Sequence, residues 1–147
     1  MNDNLIERND GSELDVDWVM SQTANTSAIE RRATTLGTRR SIKKDHQAAW
    51  LLRAISCIDL TTLSGDDTEG RVRRLCAKGI QPIRTDLTRA FGITNLHVGA
   101  ICVYHEMIGT AIKALGNSGI PVAAVSTGFP AGLSPLSTRL LEINESV

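Results

Sequence analysis

Val98-Gly-Ala-Ile-Cys-Val103, followed through Tyr104 to Gly116 by a second kind of periodicity, is the stretch that decides the fold. Its first half is a short, continuous apolar run of the composition expected for a strand buried on both faces. Its second half places Met107, Ile108, Ala111, Ile112 and Leu115 at helical spacings of three, four and seven, and Gly116 follows as a stop. One such unit is a strand passing through a loop into a helix that packs back on it.

The same unit recurs on either side. Upstream, Ile55-Ser-Cys-Ile-Asp-Leu60 is short and apolar and runs into the turn-forming Thr62-Leu-Ser-Gly-Asp-Asp67. A helix with Val72, Leu75 and Cys76 on one face follows, closed by Gly79 just past its end, and a short helix capped by Thr85 carries Leu87, Ala90 and Phe91. Downstream, Ile120-Pro-Val-Ala-Ala-Val125 reads as a strand whose proline sits acceptably at its start. After Ser126–Gly132, Ser134 reads as an N-cap with Pro135 at the first helical position, and Leu136, Leu140, Leu141 and Ile143 as the apolar face. Strands near 55–60, 98–103 and 120–126 alternating with helices predict an α/β fold with a parallel sheet, wound right-handedly. The last helix reaches Val147 with no stop signal, so the pattern is expected to be cut off in mid-helix.

Ahead of these units the chain is different. Residues 1–14 are polar. Ser27-Ala-Ile-Glu30 matches a capping box for a helix to about Arg40, and Asp45 opens a second helix through Ala48, Leu51, Leu52 and Ile55. The expected organisation is a polar N-terminus and helical extension over residues 1–53, then an α/β domain over 54–147.

Bulk properties exclude several functions. The 147 residues carry 16 basic and 16 acidic side chains, so there is no global pull toward nucleic acid or anionic membrane. Arg31, Arg32, Arg39, Arg40, Lys43, Lys44 and Arg53 form a basic stripe, but without aromatic or glycine-rich recognition motifs it reads as a solvated helix face. Cys57, Cys76 and Cys102 are an odd, scattered set, which argues against a disulfide framework or a zinc site and suits a reducing compartment. With neither an apolar signal-peptide core nor a membrane-length run, the location expected is the cytoplasm, with the nucleus an open alternative.

Ligands of parallel α/β folds bind where strands end and loops and helix N-termini converge. Those positions hold Asp59, Thr61, Thr62 and Leu63 after the first strand; Cys102, Tyr104 and His105 after the second; and Ser126, Gly128, Phe129 and Gly132 after the third. Asp59 suits either a carboxylate that orients a sugar hydroxyl or water, or a turn aspartate. Cys102 suits a pocket wall or a nucleophile, and a buried structural thiol is the better fit because only His105 lies near to activate it. The lysines are telling: Lys43, Lys44, Lys78 and Lys113 all fall in helical regions, none at a strand end where a desolvated amine could form a Schiff base. Phosphate-binding, dinucleotide-binding and nucleophile-elbow motifs are likewise missing.

Taken together, Ile58-Asp-Leu-Thr-Thr-Leu-Ser-Gly-Asp-Asp-Thr68, Ala100-Ile-Cys-Val-Tyr104 and Gly128-Phe-Pro-Ala-Gly132 resemble, in order and spacing, the first three strand ends of deoxyribose-phosphate aldolases. Arg40-Ser-Ile-Lys-Lys-Asp-His-Gln-Ala-Ala-Trp-Leu-Leu52 is similar to the longer animal form. The resemblance implies the first three units of a TIM (β/α)8 barrel, truncated, in which 2-deoxy-D-ribose 5-phosphate is reversibly cleaved to D-glyceraldehyde 3-phosphate and acetaldehyde in deoxyribonucleotide catabolism. It implies a lysine Schiff base and neither metal nor other cofactor. Asp59, Thr61, Leu63, Cys102 and Phe129 would line the substrate pocket. The Schiff-base lysine, its partner lysine, the acid/base aspartate and the phosphate-binding glycines would lie beyond Val147, leaving no catalytic residue in this chain. His105 stands where the family usually has proline, a departure expected to alter the start of the next helix. The partner implied is a phosphosugar, and the full-length enzyme could form homo-oligomers. The fragment alone is expected to be inactive; the alternative is a non-catalytic truncated isoform serving as an interaction module.

Overall fold

The computed structural model describes residues 13–39 and 41–147. Two compact units divide between Ser41 and Ile42. In the first, α1 (Val16–Ser21) is capped by Asp15, whose carboxylate accepts the Trp18 N–H at 2.8 Å. Helix α2 (Thr26–Leu36) starts one residue before the expected capping box, and its cap stands two residues before Ser27. Asn25, not Ser27, caps it, accepting the Ala28 N–H at 3.0 Å, because a cap must stand outside the first turn and Ser27 is already within it. Gly37 is the C-cap, so α2 stops short of Arg40, which lies outside the described residues.

The second unit holds α3 (Lys44–Ile55), β1 (Asp59–Thr61), α4 (Glu69–Ile80), α5 (Thr85–Ala90), β2 (Ala100–Tyr104), a 3-10 turn (His105–Met107), α6 (Ile108–Leu115), β3 (Val122–Val125) and α7 (Leu136–Ser146). Helix α3, which the sequence reading grouped with residues 1–53, thus lies in the same unit as the sheet. The three strands form one parallel sheet in the order β1-β2-β3.

The first strand differs from its expected span. Ile55 closes α3, and the N–H groups of Cys57 and Ile58 bond back to the carbonyls of Ala54 and Ile55 at 3.0 and 3.1 Å. The chain is still turning where the strand was expected to begin, and β1 starts only at Asp59. A short apolar run serves a helix C-terminus as well as a buried strand, so composition could not separate the two. The other two strands fall inside or within one residue of their expected ranges.

One face of the sheet is packed. Ile101 and Val103 of β2 are wholly buried among Val72 and Cys76 of α4, Ala111 and Leu115 of α6, Val98 and Ile120, with Leu60 and Val122 packed at the edge. Gly79 lies within α4 and serves packing where a helix stop was expected. A Cβ there would stand 2.7 Å from Cδ1 of Ile101 and 3.1 Å from Cγ2 of Val98, so the bare backbone lets α4 close on the sheet.

Helix α6 begins after the 3-10 turn at His105 and ends on Gly116, whose positive φ of 51° suits a residue without Cβ. In α7 the N-cap is Pro135 itself, with no side-chain cap bond; the hydroxyl of Ser134, the cap expected from sequence, faces Gly128 instead. Helix α7 has no buried residue, and Leu136, Leu140 and Leu141 are each more than half exposed. No helix among the described residues is long and apolar enough to cross a membrane.

Candidate functional site

Side chains alternate across a strand, and the register carries that alternation from strand to strand. Thr61 pairs with Cys102, Asp59 with Ala100, Cys102 with Ala123 and Tyr104 with Val125. Since Leu60, Ile101, Val103 and Val122 face the helices, these partners share the opposite face. Three of the five expected site residues, Asp59, Thr61 and Cys102, are thereby brought together by β1 and β2. Asp59 and Thr61 are exposed, and Cys102 is 6% exposed.

The Cys102 thiol is held above its ordinary pKa, first by burial and then by the nearby negative charge of Asp59; a hydrogen bond with Thr61 pulls weakly the other way. A thiol so placed stays protonated near neutral pH and is a poor nucleophile. Asp59 opens β1 rather than ending a strand, and its carbonyl accepts the Thr61 hydroxyl at 3.0 Å.

Leu63 and Phe129 occupy the loops after β1 and β3. Leu63 is half-buried, and Phe129 keeps 46% of its surface exposed. The loop bearing Phe129 contains two consecutive positive φ angles, 58° at Thr127 and 77° at Gly128. A Cβ at Gly128 would meet the Ser134 hydroxyl at 2.8 Å, so the residue must be glycine for both reasons.

The loop after β1 shows what spacing alone had marked only as a turn. Asp67, not Asp59, is the turn aspartate. Its carboxylate accepts the Thr62 hydroxyl at 2.8 Å, the Ser64 N–H at 3.0 Å and a guanidinium N–H of Arg71 at 3.2 Å. Burial pushes the Asp67 carboxyl upward, but those donors outweigh it and its pKa is lowered. Arg71 also grips Asp66 at 2.9 Å, and that hydrogen bond, with one involving Ser64 and the charge of Arg71, brings the Asp66 pKa down from 3.8 to about 2. The signal was present as Ser64 to Asp67 at a turn spacing and Asp67 to Arg71 at i,i+4.

A cavity of about 300 Å³ opens beside this loop, lined by Ser64, Gly65, Asp67, Tyr104, His105, Glu106 and Met107. None of the five expected residues lines it. Nδ1 of His105 and Oγ of Ser126, at the ends of β2 and β3, are buried without hydrogen-bond partners. Lys44, Lys78 and Lys113 lie on α3, α4 and α6, and Lys43 is the N-cap of α3, so no lysine stands at a strand end. No group of three His, Cys, Asp or Glu side chains among the described residues is arranged to hold a metal ion.

The fold and this face define a parallel α/β protein with a small polar cluster on the side of the sheet away from its helices. The resemblance read from the motifs holds along nearly the whole chain, which is similar to animal deoxyribose-phosphate aldolases. It is 50% identical to the deoxyribose-phosphate aldolase of Mus musculus over 141 residues, 93% of this chain and 44% of the mouse protein. With that of Homo sapiens it shares 48% over 147 residues, 97% of this chain and 46% of the human protein, and with that of Bos taurus 48% over 141 residues, 93% and 44%. The chain therefore spans less than half the length of these relatives, consistent with an N-terminal portion. No family model matches the chain.

Proposed function

We propose that this chain supplies one wall of the substrate pocket of a deoxyribose-phosphate aldolase, a lyase cleaving 2-deoxy-D-ribose 5-phosphate to D-glyceraldehyde 3-phosphate and acetaldehyde. The observation that carries the reading is the grouping of Asp59, Thr61 and Cys102 on the sheet face opposite the core packed by α4 and α6. In this reading the three strands are the first of a TIM barrel, and that face is the barrel's interior. The exposed Asp59 carboxylate accepts hydrogen bonds from a sugar hydroxyl and from water. Thr61, Leu63 and Phe129 give the substrate its wall. Cys102 stands near the reacting carbon without attacking it, in keeping with its raised pKa. The covalent step belongs to a lysine outside residues 1–147: a strand-end amine, desolvated enough to be neutral, condenses with the sugar aldehyde to form the Schiff base.

The test is a chimera in which this chain is joined to the part of the mouse aldolase that it does not match. The chimera is expected to cleave 2-deoxyribose 5-phosphate, and Asp59→Ala is expected to lower its turnover by about 100-fold. A folded but inert chimera, or full activity in the Asp59→Ala variant, contradicts the reading. The isolated 147-residue chain is expected to show no turnover.

The more-than-half-exposed Leu136, Leu140 and Leu141 of α7 favour a second reading, an interaction module whose apolar surface meets a partner. A monodisperse, cooperatively folding monomer in sedimentation and denaturation experiments contradicts it.

A further inference from the structure

We infer that Glu142, a residue with no place in the site read from sequence, is the positioning residue that sets where Phe129 stands. The backbone N–H of Gly128 donates to Oε2 of Glu142 at 2.6 Å, a bond that spans 14 residues and ties the loop after β3 to α7. The loop has a second closure: the N–H of Gly132 donates to the carbonyl of Gly128 at 2.8 Å. Phe129 therefore sits inside a five-residue turn whose first residue is pinned from outside by a carboxylate and whose last residue is bonded back to the first.

The left-handed backbone at Thr127 and Gly128 explains why an outside acceptor is needed. Such conformations cost free energy for a non-glycine residue like Thr127 and persist only where surrounding contacts hold them. A bond from an amide to a carboxylate is of the stronger, charge-assisted kind. The acceptor is itself anchored, because α7 packs against the 3-10 turn His105–Met107 that follows β2. Glu142 thus joins the Phe129 loop to the end of the neighbouring strand. That Phe129 faces the sugar rests on the aldolase reading; that Glu142 sets its place does not.

Amide hydrogen exchange and ring-proton NMR of Phe129, recorded on the 147-residue chain and on Glu142→Ala and Glu142→Gln variants, decide the point. The Gly128 amide is expected to be protected in the unaltered chain. Glu142→Ala should speed its exchange by about tenfold or more and shift the Phe129 ring signals, leaving the amides of β2 and α6 unchanged. Glu142→Gln, which keeps a carbonyl acceptor, should restore most of the protection and the ring position, a rescue that a role in helix stability alone would not produce. An unprotected Gly128 amide in the unaltered chain overturns the inference even if the alanine variant does not fold. Acceleration spread evenly through the chain, or Phe129 signals indifferent to Glu142→Ala, overturns it as well. These readouts need no substrate, so an inert chimera would defeat the aldolase reading while leaving the tether standing.

Discussion

The two faces of the three-stranded sheet are made by the same strands, yet they are built to opposite ends. One face presents Leu60, Ile101, Val103 and Val122 to helices α4 and α6, and its central side chains are wholly buried. The other presents Asp59, Thr61 and Cys102, of which two are exposed and one is a buried thiol pushed away from ionising. Alternation along β1 and β2 separates the packed side chains from Asp59, Thr61 and Cys102 one residue at a time. Substitutions on the first face should destabilise the protein; on the proposed aldolase reading, those on the second should spare the fold and lower the activity of a chimera that carries the missing lysine.

The largest expected effect is on the packed face. Ile101→Ala removes a fully buried side chain between α4 and the sheet and should cost about 2–5 kcal/mol, measured by chemical denaturation. Thr61→Ala, one strand away on the open face, should fall within about 0.5 kcal/mol of the unaltered chain. Equal losses from the two would break the comparison. Next comes activity: in the mouse chimera Asp59→Ala should lose about 100-fold in turnover, or roughly 2.7 kcal/mol of barrier, with an unchanged melting temperature. Glu142→Ala in the same chimera should raise KM more than it lowers kcat, because it loosens the wall without touching the reacting atoms.

Smaller is Gly79→Ala. The new methyl would press on Ile101 and Val98 at 2.7 and 3.1 Å, while alanine favours the helix by up to about 1 kcal/mol. Overpacking typically costs about 1–3 kcal/mol, so a net loss near 1 kcal/mol is expected on denaturation. The smallest effect is electrostatic. Asp66 is fully exposed and its folded pKa is depressed from 3.8 to about 2 by Arg71. Its contribution is therefore present above pH 3.8 and is lost as the pH falls through 2. A carboxyl NMR titration should give a midpoint near 2 for Asp66, moving back toward 3.8 in Arg71→Ala.

Much of this contrast is legible in the sequence. Ala100–Tyr104 carries strand composition and α6 a clean helical period, because both are set by local burial, and the parallel order follows from the alternation of strands with helices. What escaped is what depends on which hydrogen-bond and packing partners a residue finds, near or far along the chain. Whether Ile55 belonged to a helix or a strand turned on hydrogen bonds back to Leu52 and Ala54, which an apolar run does not specify. Gly79 looked like a helix stop because its real partner, Ile101, is 22 positions away. Ser134 fitted an N-cap, yet its hydroxyl lies against Gly128. The same limit holds for the site. That Asp59, Thr61 and Cys102 belong to the first two strands could be read from sequence, and the pairing of Asp67 with Arg71 had its signal in local spacing, whereas the reach of Glu142 to Gly128, 14 residues away, is a tertiary contact.

The central claim is that this chain shapes the pocket and a lysine outside residues 1–147 does the covalent chemistry. Borohydride reduction of the mouse chimera in the presence of 2-deoxyribose 5-phosphate, followed by peptide mass spectrometry, tests it most directly. The account predicts a reduced sugar adduct on a lysine in the mouse-derived part. An adduct on Lys43, Lys44, Lys78 or Lys113, formed in proportion to turnover, would contradict it.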